Sequence, residues 1–553
     1  MIEPIGSRLK LPSVSIRNYL ILLLLWIFHV VANLWWLKVD TRPPFYDSAG
    51  HSVVAIFLSR LPYLTAPFVA LDGWLLTRPY PPFTYSLSVP FAYLFWPTTD
   101  ALMGSAASFL ALLLLSTYEI GRRLASAWAG MLAAFLLSFY PILYGLARHY
   151  LLDVPLVSMV TFSICCLIWS ETFQRLPLSL LFGLSFGLGM LTKWTFAIFV
   201  VGPLLLCVVD SMRRYTPSRL RNLIAAGLLA ALIATPWYIV NRQALVEFLQ
   251  LGGLRAAALE GDPLVGTWDS WTYYLHALVD QQILLPFAVL FLLGLTVLVV
   301  RRQLGRPFLL LLLWIGVPYI AFSNYDNKDV RYTMPYLPAV ALVTSINLMQ
   351  FPLPNVQKFV YAGLGLYSLL QFAGLTFGLS QRLSTSSLPF LPARLAVTIG
   401  DLSLPWYTEY THIASPPRIE NWQMETILLD LMKDVEHSLR APEQSVHLTV
   451  VPAQPCFEPN GFIYYVSVDK LPIAVGSITG IVAVDSHAQL AKSDYVVTKT
   501  GDQGPPWMVQ DAVELTAELG NPETEFGARF RLLHEYPLPD GSVARLYKRH
   551  PIQ

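Results

Sequence analysis

The stretch PLSLLFGLSFGLGMLTKWTFAIFVVGPLLLCVV occupies residues 177–209, and its reading decides the fold. Its only charge is Lys193. As one helix it would reach about 50 Å at 1.5 Å per residue, against a hydrocarbon core of about 30 Å. It must break. Lys193 marks the place, because an ammonium costs a few kcal/mol at the bilayer centre but little at its edge. The sequence therefore predicts two short spans, 178–192 and 194–210, with Lys193 between them at a membrane surface.

The same length rule, applied outward, predicts further spans at 19–37, 101–120, 126–146, 152–170, 222–240, 283–300, 307–323, 333–350 and 358–379. That makes about 11, up to 13. Segment 82–96 is apolar, but prolines 81, 82, 90 and 97 make it interfacial in this reading. Composition agrees with a polytopic membrane protein. The chain is 55% hydrophobic and 13% charged, about half the charge of an ordinary soluble chain. A net charge of +1 gives no field that would draw nucleic acid. The four cysteines, Cys165, Cys166, Cys207 and Cys456, show no metal-ligand spacing.

Basic clusters set the expected orientation. Arg8, Lys10 and Arg17, then GRR at 121–123, RRYTPSRLR at 213–221 and RRQLGR at 301–306, all fall on one side, which the positive-inside rule makes cytoplasmic. The first span ends in Trp35-Trp36 with no small-residue cleavage site, as expected of an uncleaved anchor. The expected layout is a transmembrane domain over 1–380 with outer loops at 38–100 and 241–282, linker and surface loops at 381–420, and an extracytoplasmic α/β domain at 421–553. In that last domain 421–439 has helical periodicity. VHLTVVP, FIYYVSV, GIVAVDS, DYVVTKT and ARFRLLHEY read as strands, and Asp540-Gly541 as a hairpin turn.

This topology collects Asp47, Arg78, His149, Asp153, Lys193, Lys328 and Arg331, from separate loops, on the outer face. Arg and Lys at the outer leaflet suit a phosphate-bearing lipid. A carboxylate beside them can take a proton from an attacking hydroxyl. Asp47 and His51 are four apart, so a helix there puts both on one face. Each residue also has a plainer reading. Asp153 ahead of an apolar run is ordinary helix-start chemistry, Lys193 can snorkel, and His51 and His149 can be packed, hydrogen-bonded histidines.

Several short motifs, taken in order, carry a resemblance: FYDSAGHSVVAIFLSR (45–60), YPPFTYSL (80–87), RHYLLDVPL (148–156), GLGMLTKWT (187–195), TPWYI (235–239) and KDVRYTMPYLPAVAL (328–342). Together they resemble the GT-C membrane glycosyltransferases that use polyprenyl-phosphate sugars, in the branch of protein O-mannosyltransferases and the lipid A aminoarabinose transferase. The resemblance implies an inverting transfer from a polyprenyl-phosphate sugar to an acceptor lipid, glycan or protein on the outer face. It implies Asp47 as general base, Asp153 as a second carboxylate, and donor-phosphate contacts among Arg78, Lys193, Lys328 and Arg331. Tyr80, His51, His149 and Tyr332 are candidate supporting residues. Ser48 stands where the family has a second acidic residue, and Tyr80 where it has lysine; Arg78 is the nearby substitute cation. No cofactor is implied with certainty, a divalent metal stays open, and the expected location is a prokaryotic plasma membrane. The competing classes are a transporter or flippase of lipid-linked sugars without covalent transfer, and a non-catalytic scaffold or receptor in which the outer-loop charges are dispensable.

Overall fold

The structure, a computed structural model, describes residues 15–96, 98–300, 305–350, 354–377, 414–437, 445–479, 485–509 and 511–550. Its first part is helical: α1 (Ile16–Val39), α2 (Tyr46–Ser59), α3 (Pro67–Leu75), α4 (Phe83–Phe95), α5 (Thr99–Leu124), α6 (Ala127–Ser138), α7 (Pro141–Leu146), α8 (Asp153–Trp169), α9 (Leu176–Met190), α10 (Phe196–Arg213), α11 (Pro217–Leu249), α12 (Ala256–Glu260), α13 (Trp268–Ala277), α14 (Leu284–Val300), α15 (Arg306–Ser323), α16 (Leu337–Met349) and α17 (Pro354–Phe377). Among the described residues, six helical stretches are long and apolar enough to cross a membrane: α1, α5, α10, α11 with its continuation to Glu260, α15 and most of α17. Five shorter apolar helices, α6, α8, α9, α14 and α16 with its 3-10 lead-in, coincide with the remaining expected spans.

The decisive break is present. α9 stops at Met190 and α10 starts at Phe196, with Lys193 in the turn between them. Close approach of α9 to α11 depends on Gly183, where an added Cβ would lie 2.3 Å from the Ala226 carbonyl oxygen. Segment 126–146, expected as one span, is two helices. Pro141 disfavours helical geometry at the residue before it, and Tyr140 is extended at φ −70° and ψ 125°. Segment 82–96 forms the 13-residue α4 with Pro90 inside it.

The helix ends separate into two chemistries. At one end the arginine-rich segments are tied to carboxylates: Arg122 to Glu119 at 2.6 Å, Arg123 to Glu171 at 2.8 Å, and Arg306 to Asp210. At the other end lie α2, the start of α8, the α9–α10 turn and the turn after α15. Among the described residues, Arg122, Arg123 and Arg306 thus lie at the helix ends opposite those that carry the candidate site residues.

The C-terminal part contains α18 (Met424–His437), β1 (Val446–Val450), α19 (Pro459–Asp469), β2 (Ile473–Ser477), α20 (Ser486–Leu490), β3 (Tyr495–Lys499), α21 (Ala512–Gly520), α22 (Glu525–Arg529), β4 (Phe530–Pro537) and β5 (Val543–Arg549). The sheet order is β2-β1-β3-β5-β4. β1 pairs parallel with β2 and β3, and β5 pairs antiparallel with β3 and β4. Helix α18 and the β4–β5 hairpin at Asp540-Gly541 lie where the sequence placed them. FIYYVSV does not form a strand. It lies in α19, because Glu458 caps the segment and Pro459 stands in its first turn. Residues 480–484 of GIVAVDS, and most of the 381–420 linker, lie outside the described residues.

This α/β unit is not a pendant. Phe45 packs against its core of Trp422, Met424, Phe457 and Phe462. Tyr464 and Val468 of α19 join a buried cluster with Ala49, Ala55 and Ile56 of α2.

Candidate active site

Four separate elements bring their charges together. Asp47 stands in the first turn of α2, and Asp153 in the first turn of α8, where the helix dipole favours a carboxylate. Lys193 comes from the α9–α10 turn, and Arg331 from the turn after α15. Arg331 Nη2 is 3.2 Å from Asp47 Oδ2, and Arg331 Nη1 is 3.9 Å from Asp153 Oδ2. Lys193 Nζ donates to Asp153 Oδ1 at 3.1 Å and lies 5.7 Å from the centre of the Tyr332 ring. A fifth charge, Asp329, orients Arg331 by accepting from its Nε at 2.8 Å and its Nη2 at 2.5 Å. The side chain of Asp47 is 55% exposed, while that of Asp153 is 5% exposed. Asp47 is therefore the carboxylate that an arriving molecule can reach.

The electrostatics follow from this packing. Desolvation by the surrounding protein would raise the Asp47 carboxyl, but the positive charges of Arg331 and Lys193 outweigh it and hold the group below the usual carboxylate range. Arg331 is held protonated by Asp329, Asp153 and Asp47 against the downward pull of burial. Burial pushes the His51 imidazole down to about 4, so it is neutral near pH 7. Its Nδ1 is 2.8 Å from the Tyr85 hydroxyl, and its ring meets Tyr80 at 5.1 Å. Three carboxylates and two cations leave the cluster at −1. Donors nevertheless remain. Among the described residues, Arg331 Nη1 makes no hydrogen bond, and Lys193 makes one of the three its ammonium can make.

Other predicted residues are placed differently. Lys328 turns away, donating through Nζ to the carbonyls of Phe322 at 2.8 Å, Ser323 at 3.0 Å and Tyr325 at 2.5 Å, so it seals the end of α15. As placed, its ammonium is occupied by those three carbonyls. Arg78 is exposed and gives its Nε to Asn241 Oδ1 at 3.1 Å, so it forms no part of the ion-pair cluster described here. His149 packs against Trp36 and Phe45, and burial pushes its imidazole down to about 3. Tyr332 donates to Asn327 at 2.5 Å. Asp329, two residues before Arg331, is among the charges that the expected topology puts on the outer face, but no motif assigned it a role. Among the described residues, no three His, Cys, Asp or Glu side chains are grouped to hold a metal ion.

Residues 53–251 match the family of dolichyl-phosphate-mannose-protein mannosyltransferases. The match takes in Asp153 and Lys193 and leaves Asp47 and Arg331 outside. An uncharacterised protein of Aquifex aeolicus is 28% identical over 291 residues, which are 50% of this chain and 54% of the relative. The undecaprenyl phosphate-alpha-4-amino-4-deoxy-L-arabinose arabinosyl transferase 2 of Proteus mirabilis is 25% identical over 257 residues, 43% of this chain and 44% of the relative. The chain thus spans about half the length of the curated relatives it matches. The crystal structure of ArnT from Cupriavidus metallidurans bound to undecaprenyl phosphate superposes with a TM-score of 0.59 at 15% identity, covering 96% of this chain and 98% of that one. The mycobacterial arabinofuranosyltransferase AftD superposes with a TM-score of 0.52 at 14% identity, over 99% of this chain and 41% of that one. The chain therefore has the fold of the GT-C membrane glycosyltransferases, and it carries within that fold a region similar to the dolichyl-phosphate-mannose-protein mannosyltransferases.

Proposed function

We propose that this protein transfers a sugar from a polyprenyl-phosphate carrier to an acceptor at the membrane face that bears Asp47. The observation that carries the reading is the convergence of Asp47, Asp153, Lys193 and Arg331, from four separate elements, around one reachable carboxylate. The fold shared with an undecaprenyl phosphate-bound transferase supports it, as does the family region over residues 53–251.

In this reading the donor phosphate takes the unused hydrogens of Arg331 Nη1 and Lys193 Nζ. The acceptor hydroxyl gives its proton to Asp47 as its oxygen bonds to the anomeric carbon. The bond from that carbon to the phosphate oxygen breaks, and the polyprenyl phosphate leaves with the electron pair. One displacement inverts the anomeric configuration. The cations stabilise the departing phosphate, so the leaving group needs little acid assistance. Asp153 and Asp329 hold the two cations in place. The acceptor is a lipid, glycan or protein hydroxyl, and the sugar a hexose or pentose. The protein sits in the plasma membrane with its N-terminus cytoplasmic and its α/β domain outside.

The test is turnover of a panel of radiolabelled polyprenyl-phosphate sugars by purified protein in lipid, with a membrane extract as acceptor source. Release of free polyprenyl phosphate together with labelled acceptor is expected. Movement of intact donor across the bilayer with no release would replace this reading with a flippase.

A further inference from the structure

Helix α2 carries Asp47, yet its N-terminus has no cap of its own. Phe45 occupies the N-cap position without a side-chain hydrogen bond, and the first N–H groups of any helix lack partners within it. The partner comes from the other domain. Glu458, 3% exposed, accepts from the Tyr46 N–H at 3.0 Å across 412 residues of chain. The same carboxylate accepts from the N–H groups of Asn460 at 2.8 Å and Gly461 at 2.9 Å, capping α19. Burial pushes this carboxyl up to about 7, with those three N–H groups pulling the other way.

Tyr46 is itself unusual. Its φ of 45° lies in the left-handed region, which is unfavourable for a non-glycine residue and persists only where surroundings enforce it. The Tyr46 hydroxyl donates to the Ala453 carbonyl of the C-terminal domain at 2.7 Å. Asp47 is the next residue, so the backbone at Tyr46 sets where its carboxylate points. The far end of α2 is tied as well, since Arg60 Nη2 donates to the Val468 carbonyl at 3.1 Å. Helix α19 therefore runs alongside α2 and grips it at both ends.

We propose that Glu458 is a positioning residue for Asp47: by holding the Tyr46 backbone N–H, the C-terminal domain fixes the direction of the carboxylate at the transfer site. The inference rests on Asp47 being the base. It makes the C-terminal domain part of the catalytic apparatus, beyond any role in recruiting the acceptor.

Glu458→Asp separates the two duties of the side chain. Aspartate is a good N-cap for α19, but one methylene fewer leaves it short of Tyr46. With the polyprenyl-phosphate sugar that the donor panel identifies, kcat should fall about tenfold or more while KM for the donor stays within about twofold, the pattern of a misplaced reacting group. The thermal midpoint should stay at the wild-type value, and Tyr46→Phe should lower kcat less. Wild-type kcat in Glu458→Asp overturns the inference. If that variant does not fold, Glu458→Asn, an equally short but uncharged N-cap, decides: reduced kcat at unchanged donor KM supports the inference and wild-type kcat overturns it. Asp47→Asn is measured alongside. If it turns over at the wild-type rate, the base reading fails. If it is inactive while Glu458→Asp is fully active, only the positioning inference fails.

Discussion

At the scale of single residues, Asp47 is ionised across the physiological range because Arg331 stands 3.2 Å away. A carboxylate held that low is always ready to accept a proton but binds it weakly. That suits a reaction in which the departing phosphate leads and the acceptor is deprotonated late. His51 makes a sharper statement about pH. Its imidazole is buried and pushed down to about 4, against about 6.5 in the unfolded chain. The unfolded state takes up this proton first as pH falls. The stability that His51 contributes is full above pH 6.5 and is lost as pH falls from there through about 4. The loss is on the order of 3 kcal/mol. Thermal midpoints of wild type and His51→Gln across pH 4–8 check this. The wild type should lose stability over that window, and the variant should lose less.

The same residues show what the sequence made legible. Asp47, Asp153, Lys193 and Arg331 could be named because the expected topology gathered them among the charges of one face and the family resemblance then singled them out. Whether a cation there points inward or caps a helix is decided by rotamer and neighbours. Lys328 accordingly went to three carbonyls, and Arg78 to Asn241.

At the scale of elements, the Lys193 turn joins the fold to the chemistry. The bilayer's thickness forces the break, and the break delivers the ammonium to Asp153 at 3.1 Å. A pair this buried is strongly coupled to folding. Asp153→Asn leaves Lys193 without its counter-ion and should destabilise the protein by about 3–5 kcal/mol. The double variant Asp153→Leu with Lys193→Met should regain most of that stability while remaining inactive. Thermal unfolding in detergent together with donor turnover measures both. Recovery of activity in the double variant would remove the pair from the mechanism.

The positions of the long apolar helices were readable because apolar length is a strong signal. The division at Pro141 and the helical state of FIYYVSV were harder to read. A run of apolar and aromatic residues fits strand or helix alike until its flanks are weighed, and Glu458-Pro459 is the flank that settles this one.

At the scale of the whole molecule, the two domains share a core. Tyr464 of α19 is 5% exposed among side chains of α2, α4 and α5, and its hydroxyl accepts from the Thr99 N–H at 2.9 Å. Tyr464→Ala should therefore cost about 3–5 kcal/mol and lower the midpoint of one common unfolding transition. Two separate transitions, with only the C-terminal one shifted, would show that the domains are independent. This coupling was invisible in the sequence, because it joins residues some 400 positions apart with no motif at either end.

The most direct test of the account is the single-turnover release of polyprenyl phosphate by wild type and Asp47→Asn, at saturating donor and acceptor. The account predicts a fall of ~10²–10⁴-fold in the variant, with donor binding retained. Release at the wild-type rate by Asp47→Asn would contradict it.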